Sequence, residues 1–282
     1  TDFELMGMSG NNVKILLDGI PLIDRGATKQ SLSQLDVNSI ERVEIVEGPM
    51  SVVYGTDALA GVINIITKKG DGYSEENTWR VGARVQEESM GKEYDFFKDK
   101  GLHNESIDLG FNHKSGLFVN GGYTRNNHGG WQGDLTGREK RWHPKDQALM
   151  NGMFGFQNRN MNVWYRLDFL DEKIFGPNNG SELQPEKVSD KDFLTKRYTH
   201  QLQSDWKLDN RLDVHAALSY QDYKRRTRTT ESDLSTGEKW LSSAEASQDI
   251  TQYKAWIARA TVAWNIAPEF SVQPGVEYQW TQ

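Results

Sequence analysis

Between residue 79 and the end of the chain, a series of segments has apolar and polar residues in strict alternation. This alternation is the period of a β-strand with two different faces. Two less regular segments, 148–157 and 198–208, have a similar character. The pattern predicts about nine antiparallel strands of roughly the length that crosses a bilayer at a tilt. The clearest stripes lie at 79–85, 106–111, 117–123, 161–169, 212–220, 256–264 and 270–280.

The connections between these segments alternate in length. Short turns are predicted at 113–116, 158–160, 209–210 and 267–269, and long polar loops at 89–104, 125–146, 171–196 and 224–249. Short turns on one side and long loops on the other are typical of an outer-membrane β-barrel. A β-propeller or a soluble sandwich does not predict this asymmetry.

The first 70 residues have a different pattern. Three short apolar segments, 13–17, 40–46 and 62–67, precede the alternating region, and we predict that they pair into one small sheet. A glycine-bearing polar linker at 68–72 follows them and indicates a domain boundary. We place the first domain at 1–72 and the second at 73–282.

The segment 40–69 reads IERVEIVEGPMSVVYGTDALAGVINIITKK, and 15–22 reads ILLDGIPL. Together they resemble the second half of the plug domain of TonB-dependent outer-membrane receptors. The matching pattern is RVE-x-x-x-GP-x-S-x-x-YG-x-x-A-x-x-GVINI-x-T. It is carried by Arg42, Val43, Glu44, Gly48, Pro49, Ser51, Tyr54, Gly55, Ala58, Gly61, Val62, Ile63, Asn64, Ile65 and Thr67.

The resemblance implies a mostly β protein, with an α+β plug followed by an antiparallel transmembrane β-barrel meander. It also implies location in the outer membrane of a Gram-negative bacterium and coupling to TonB from the periplasm. Plugged transporters of this kind have roughly 22 strands, so about nine strands cannot close the barrel. We therefore interpret the sequence as a fragment that lacks the first half of the plug, the TonB box and the rest of the barrel.

Composition and the absence of known motifs argue against several classes of function. The 33 Lys and Arg residues against 40 Asp and Glu residues give a net charge of −7, which disfavours nucleic acid as a partner. There is no Cys and no apolar run long enough for a membrane-spanning helix. No metal-ligand motif, nucleophile elbow or phosphate-binding loop is present, so we predict no enzyme activity, no resident metal and no cofactor.

The candidate ligand-binding residues come from the resemblance, which places 23–33 in an outward-facing plug loop. They are Asp24, Arg25, Thr28, Lys29, Gln30, Tyr54 and Asp57. Arg25 and Lys29 would favour an anionic ligand such as a ferric catecholate or haem. For any one of these residues, the alternative is a solvated loop.

Three further candidate sites lie outside that loop. His128 and His143 share one long loop and could meet to contact iron or haem; Trp131 lies between them, and ordinary polar loop residues are the alternative. Arg42 and Glu44 could fasten the plug to charges on the barrel wall. The basic run 224–228 could meet lipopolysaccharide phosphates or an anionic ligand, or be a solvated loop.

The expected function is import of a scarce nutrient, with a ferric siderophore or other iron chelate favoured over haem, cobalamin or a glycan. A passive porin or a surface adhesin built on the same barrel is the rival from another class. It would lack a folded plug, so the motif at 40–69 separates the two.

Overall fold

The computed structural model describes residues 4–5, 8–9, 12–22, 32–48, 58, 60–70 and 76–282. Almost all of its regular structure is β. Within these residues, the helical elements are two short 3-10 turns, Leu32–Gln34 and Val37–Ser39. No helix in the described residues is both long enough and apolar enough to cross a membrane.

The first part of the chain contains six short strands. They are β1 (Glu4–Leu5), β2 (Met8–Ser9), β3 (Val13–Leu17), β4 (Ile20–Pro21), β5 (Ile40–Glu47) and β6 (Gly61–Thr67). β1 and β2 pair with each other, and the other four form a sheet in the order β4-β3-β6-β5, which we call the small sheet. β3 and β6 are parallel, and the other pairs are antiparallel. The predicted pairing of the three early apolar segments is confirmed.

The second part forms one antiparallel sheet of eleven strands, which we call the wall. The order along it is β16-β15-β13-β12-β11-β10-β9-β8-β7, with β14 beside β13 and β17 beside β15. Its strands are β7 (Thr78–Glu88), β8 (Leu102–Asn112), β9 (Leu117–His128), β10 (Lys145–Gln157), β11 (Met161–Gly176), β12 (Lys187–Lys207), β13 (Leu212–Asp233), β14 (Lys239–Leu241), β15 (Ile250–Ala267), β16 (Phe270–Val272) and β17 (Gly275–Thr281).

The wall is an open meander, because β7 at one end of the described strands does not pair with β16 or β17 at the other. The mostly β fold class with an antiparallel meander is confirmed. The predicted boundary at 72/73 falls within residues 71–75, outside the described part of the chain, and stays a prediction.

Two loop predictions were wrong. β11 continues to Gly176 and β12 begins at Lys187, so most of the predicted loop 171–196 is a hairpin. β13 continues to Asp233, so the basic run 224–228 lies in a strand. The β13 extension is polar on both faces, and the extensions of β11 and β12 carry scattered apolar residues such as Ile174, Val188 and Leu194, so none of them shows the regular apolar alternation of the rest of the wall.

Alternation gives the wall an inner and an outer face. Along β11, Trp164, Arg166, Leu170 and Glu172 are buried, and along β13, Ala217, Ser219, Gln221 and Tyr223 are buried. The small sheet packs on this inner face, where Ile20 of β4 forms a cluster with Ala217 and Ile257. The outer face carries exposed apolar residues such as Val119, Phe154, Leu202 and Leu218.

Candidate functional site at the interface of the small sheet and the wall

The turn between β3 and β4 is held from inside the small sheet. Asp18 and Gly19 both have positive φ, 50° and 81°, which Asp-Gly tolerates in a tight hairpin turn. The Asp18 carboxylate is 1% exposed and accepts hydrogen bonds from Thr67 N at 3.0 Å, Thr67 Oγ1 at 2.7 Å and Lys69 Nζ at 2.8 Å. One buried carboxylate thus ties the β3–β4 turn to the end of β6.

Side chains of the wall donate hydrogen bonds to the backbone of the same turn. Gln201 donates to Leu17 O at 3.3 Å and Gln203 to Asp18 O at 2.8 Å. Further along, Arg259 donates to Gly19 O and Gln221 donates to Pro21 O, at 2.8 and 2.7 Å. These donors come from β12, β13 and β15, so three strands of the wall donate to main-chain carbonyls of the turn and of the residues beside it.

A second contact lies at the 3-10 turn Leu32–Gln34. Gln34 Nε2 donates to Glu172 Oε1 at 2.8 Å, and Arg197 Nη2 donates to Gln34 O at 2.8 Å. Gln147 connects both sides, because its Nε2 lies 2.6 Å from Glu172 Oε2 and 3.0 Å from Ser33 O. Gln34, Gln147, Glu172 and Arg197 are all buried.

A third contact begins at Asp36, which caps the 3-10 turn Val37–Ser39 by accepting from Asn38 N at 3.0 Å. The same carboxylate accepts from Thr124 Oγ1 at 2.9 Å and from Asn151 Nδ2 at 3.1 Å, both in the wall. Nearby, Arg166 donates to Ser39 Oγ at 3.3 Å and pairs with Asp168. The three contacts together span β9 to β15.

The described part of this interface is nearly filled. Two cavities between the small sheet and the wall hold about 20 Å³ each, one beside Arg166, Arg197 and Leu170 and one beside Asn120 and Asn151. That volume suits a single water molecule.

The predicted residues fall in different places. The candidate ligand contacts Asp24, Arg25, Thr28, Lys29, Gln30, Tyr54 and Asp57 all lie outside the described residues, so their role stays a prediction. Arg42 and Glu44 lie on exposed β5. There Arg42 contacts Glu41 and Glu44 at 3.0 Å, and Glu44 accepts from Asn64 at 3.2 Å. Their described partners are within the small sheet, and fastening to the wall stays a prediction.

The loop candidates lie on the long-loop side of the wall. His128 ends β9, and its ring lies 6.1 Å from that of Trp142, which in turn lies 5.2 Å from Trp131. His143 follows Trp142, and its ring lies beside Gly176 at the end of β11. Among the described residues, no cluster of three His, Cys, Asp or Glu side chains is arranged to hold a metal ion.

The loop between β9 and β10 is itself clamped. Arg138 pairs with Asp190 through two hydrogen bonds of 3.0 and 2.6 Å and donates to Asn178 O at 2.8 Å. Asp134 accepts a hydrogen bond from its own backbone amide and pairs with Arg141 at 2.6 Å, and these contacts hold the pKa of Asp134 below its usual range. The clamp joins this loop to the β11–β12 hairpin.

Sequence reasoning missed the interface residues on the wall and also missed Trp142. The interface residues, Gln147, Arg166, Glu172, Arg197, Gln201, Gln203, Gln221 and Arg259, are polar positions on the face that alternates with the apolar stripe. Alternation identifies that face as the inner one. It does not identify which of its polar residues meet the small sheet.

Comparison with known proteins decides what the small sheet is. Residues 1–62 match the sequence model of the TonB-dependent Receptor Plug Domain. This segment is a TonB-dependent receptor plug. The resemblance inferred from the motif at 40–69 is therefore confirmed.

Curated relatives agree with the plug assignment over a short stretch. The "Iron-regulated outer membrane virulence protein" of Vibrio cholerae is 40% identical over 80 residues, which cover 24% of this chain and 12% of the relative. The "Vitamin B12 transporter BtuB" of Vibrio vulnificus is 40% identical over 79 residues, 28% of this chain and 13% of the relative. The predicted location in the outer membrane is confirmed.

The fold of the chain as a whole is similar to that of solved receptors. The ferric yersiniabactin uptake receptor FyuA from Yersinia pestis superposes with a TM-score of 0.62 at 14% identity, over 98% of this chain and 49% of that one. The chain thus spans about half of this receptor. The likeness shows the fold alone, a small sheet packed against part of a barrel wall.

Proposed function

We propose that the full-length protein is a TonB-dependent importer of the outer membrane and that it takes up an iron chelate, a ferric siderophore in the first place. TonB, with its inner-membrane energising complex, would act on the plug from the periplasm. Haem, cobalamin and a glycan are the alternative substrates. A transport role, rather than an enzyme activity, fits the relatives, which are named as a transporter and an outer membrane protein.

The observation that carries this proposal is the fastened plug. Side chains from β9 to β15 hydrogen-bond to it, and the cavities left between plug and wall hold about 20 Å³ each. A passive porin needs an open lumen, which a fastened plug would obstruct. The contacts are individually modest hydrogen bonds, so an external pull can break them one after another.

The choice of an iron chelate rests on weaker support. One relative is described as iron-regulated and another as a vitamin B12 transporter, and both are 40% identical over a similar length. The plug sequence therefore does not separate iron from cobalamin. The predicted outward loop adds Arg25 and Lys29, whose positive charge favours anionic ferric catecholates or haem over a neutral ligand.

Uptake by cells that carry the full-length receptor as their sole importer tests the proposal. Radiolabelled ferric siderophore, haem and cobalamin are supplied separately, with and without an uncoupler that dissipates the proton-motive force. We expect accumulation of the ferric siderophore that the uncoupler abolishes. Accumulation unaffected by the uncoupler would support a passive porin, and energy-dependent uptake of cobalamin alone would overturn the iron assignment.

The predicted ligand contacts are tested in the same cells. Arg25→Ala combined with Lys29→Ala should weaken binding of the transported ligand by at least about tenfold, or roughly 1.4 kcal/mol. The matched control removes two exposed cations from the short-turn side, Arg159→Ala with Lys207→Ala. Unchanged affinity in the first double variant would return Arg25 and Lys29 to the role of solvated loop residues.

A further inference from the structure

A stripe of three cations runs along the outer face of β13. Gln221 and Tyr223 face inward, since Gln221 donates to Pro21 O of the plug and Tyr223 is buried. Alternation therefore turns Lys224, Arg226 and Arg228 outward. All three are exposed, and each lies about 7 Å from the next along the strand.

The neighbouring strands do not neutralise this stripe. Lys224 lies opposite Lys196 and Gln252, and Arg226 lies opposite Leu194 and Ile250. Arg228 lies opposite Asp192, but that carboxylate pairs with Lys173 at 3.3 Å. Lys196 in turn pairs with Asp171. No salt bridge joins Lys224, Arg226 or Arg228 to any residue in the described part of the chain.

The stripe begins at a defined height on the wall. Below it on the outer face are the paired rings of Phe169 with Tyr198, at 4.8 Å, and of Tyr220 with Trp256, at 4.6 Å. Below these rings, the outer face of β12 and β13 is mostly apolar, with Leu202, Val214 and Leu218. An aromatic row above an apolar band marks a membrane interface, so the cations lie at headgroup height.

We propose that Lys224, Arg226 and Arg228 form a binding site for the phosphate groups of lipopolysaccharide. The stripe is on the long-loop side of the wall, which in an outer-membrane barrel faces the outer leaflet. Guanidinium and ammonium groups in a row bind phosphate through charge-assisted hydrogen bonds and are relieved of their mutual repulsion. The aromatic row below the stripe would contact the acyl chains of the same lipid.

The proposal rests on the outer-membrane location and is independent of the transported ligand. It differs from binding of an anionic substrate because the three side chains point away from the plug. Arg225, between them, faces inward and lies 4.4 Å over the Phe193 ring. Substitution of the stripe should therefore change lipid binding without changing affinity for the transported ligand.

Native mass spectrometry of the full-length receptor in detergent, titrated with hexa-acylated diphosphoryl lipid A, measures this site. The test variant is Lys224→Gln with Arg226→Gln and Arg228→Gln. The matched control removes three exposed cations from the short-turn side, Lys114→Gln with Arg159→Gln and Arg211→Gln. Both variants lose the same charge, so a general effect of net charge would appear in both.

We expect the stripe variant to bind lipid A at least about tenfold more weakly than the parent and the control. Dephosphorylated lipid A should bind parent and stripe variant alike, because the acyl chains alone do not distinguish them. Equal loss in the control, or equal binding of lipid A by parent and stripe variant, would overturn the proposal. An unchanged hydrogen-exchange pattern in β12 and β13 shows that the stripe variant retains its fold.

Discussion

The two best-defined contacts of the plug differ in whether the plug or the wall contributes the buried charge. At the β3–β4 turn, the Asp18 carboxylate is satisfied entirely within the plug, and the wall supplies donors for backbone carbonyls. At Gln34, the buried charges belong to the wall, and Glu172 and Arg197 use the plug as a partner. The first contact holds the fold of the plug, whereas the second holds the plug in place.

The largest effect is expected at Asp18. Asp18→Ala leaves Thr67 N and Lys69 without their acceptor in a buried site, and breaking a buried charged pair costs about 3–5 kcal/mol. Hydrogen exchange in the full-length receptor should show β3 and β6 opening far more often, with the wall unchanged. Asp18→Asn keeps one acceptor oxygen and should lose less. Equal protection in the parent and Asp18→Ala would show that the carboxylate does not hold the plug together.

The next largest effect is expected across the interface at Gln34. Glu172→Ala should lower the free energy that holds the plug against the wall by about 1.5–3 kcal/mol, since a hydrogen bond to a charged group contributes about this much. A double-mutant cycle with Gln34→Ala isolates the contact between the two. We expect a coupling energy near 1 kcal/mol with normal protection inside the plug. A coupling energy of zero would show that the hydrogen bond between Gln34 and Glu172 does not help to hold the plug.

These two contacts also show which parts of the structure can be predicted from the sequence. The Asp18-Gly19 turn is local, so the dipeptide and the apolar segment before it suffice to predict it. Gln34 and Glu172 are 138 residues apart, and no sequence motif predicts that they are in contact. Alternation predicts that Glu172 faces inward, but the register between plug and wall is set by the whole packed interface.

The same distinction explains the strand ends. Between Val163 and Phe169 the outer face is apolar, so lipid contact imposes a period that the sequence shows. Beyond Asp171 the apolar stripe stops, since Asp171 and Lys173 occupy its next positions, yet backbone pairing continues to Gly176 opposite Lys191. Backbone hydrogen bonds require no apolar side chain, so the extension of the hairpin leaves no periodic signal.

A smaller effect is expected from the neutral wall donors at the turn. Gln221→Ala removes one amide that donates to Pro21 O at 2.7 Å, which typically costs about 0.5–1.5 kcal/mol. Gln252→Ala is the matched control, because Gln252 is exposed and bonds Asp222 rather than the plug. Protease accessibility of the plug in the full-length receptor should rise for the first variant only. A similar rise in both would indicate a general loosening of the wall.

The smallest effect is expected from Arg42 and Glu44, whose proposed role is to fasten the plug. Arg42 is exposed and Glu44 is partly exposed on β5, they already have partners in Glu41 and Asn64, and solvent screens such pairs. Arg42→Ala with Glu44→Ala should leave β5 paired with β6, because that pairing runs through the backbone from Ile40 to Glu47. We expect a slight rise in protease accessibility of the plug, below that of Glu172→Ala. No rise at all would show that the two residues act only within the plug. A rise equal to that of Glu172→Ala would show that they hold the plug against the wall as strongly as Glu172 does.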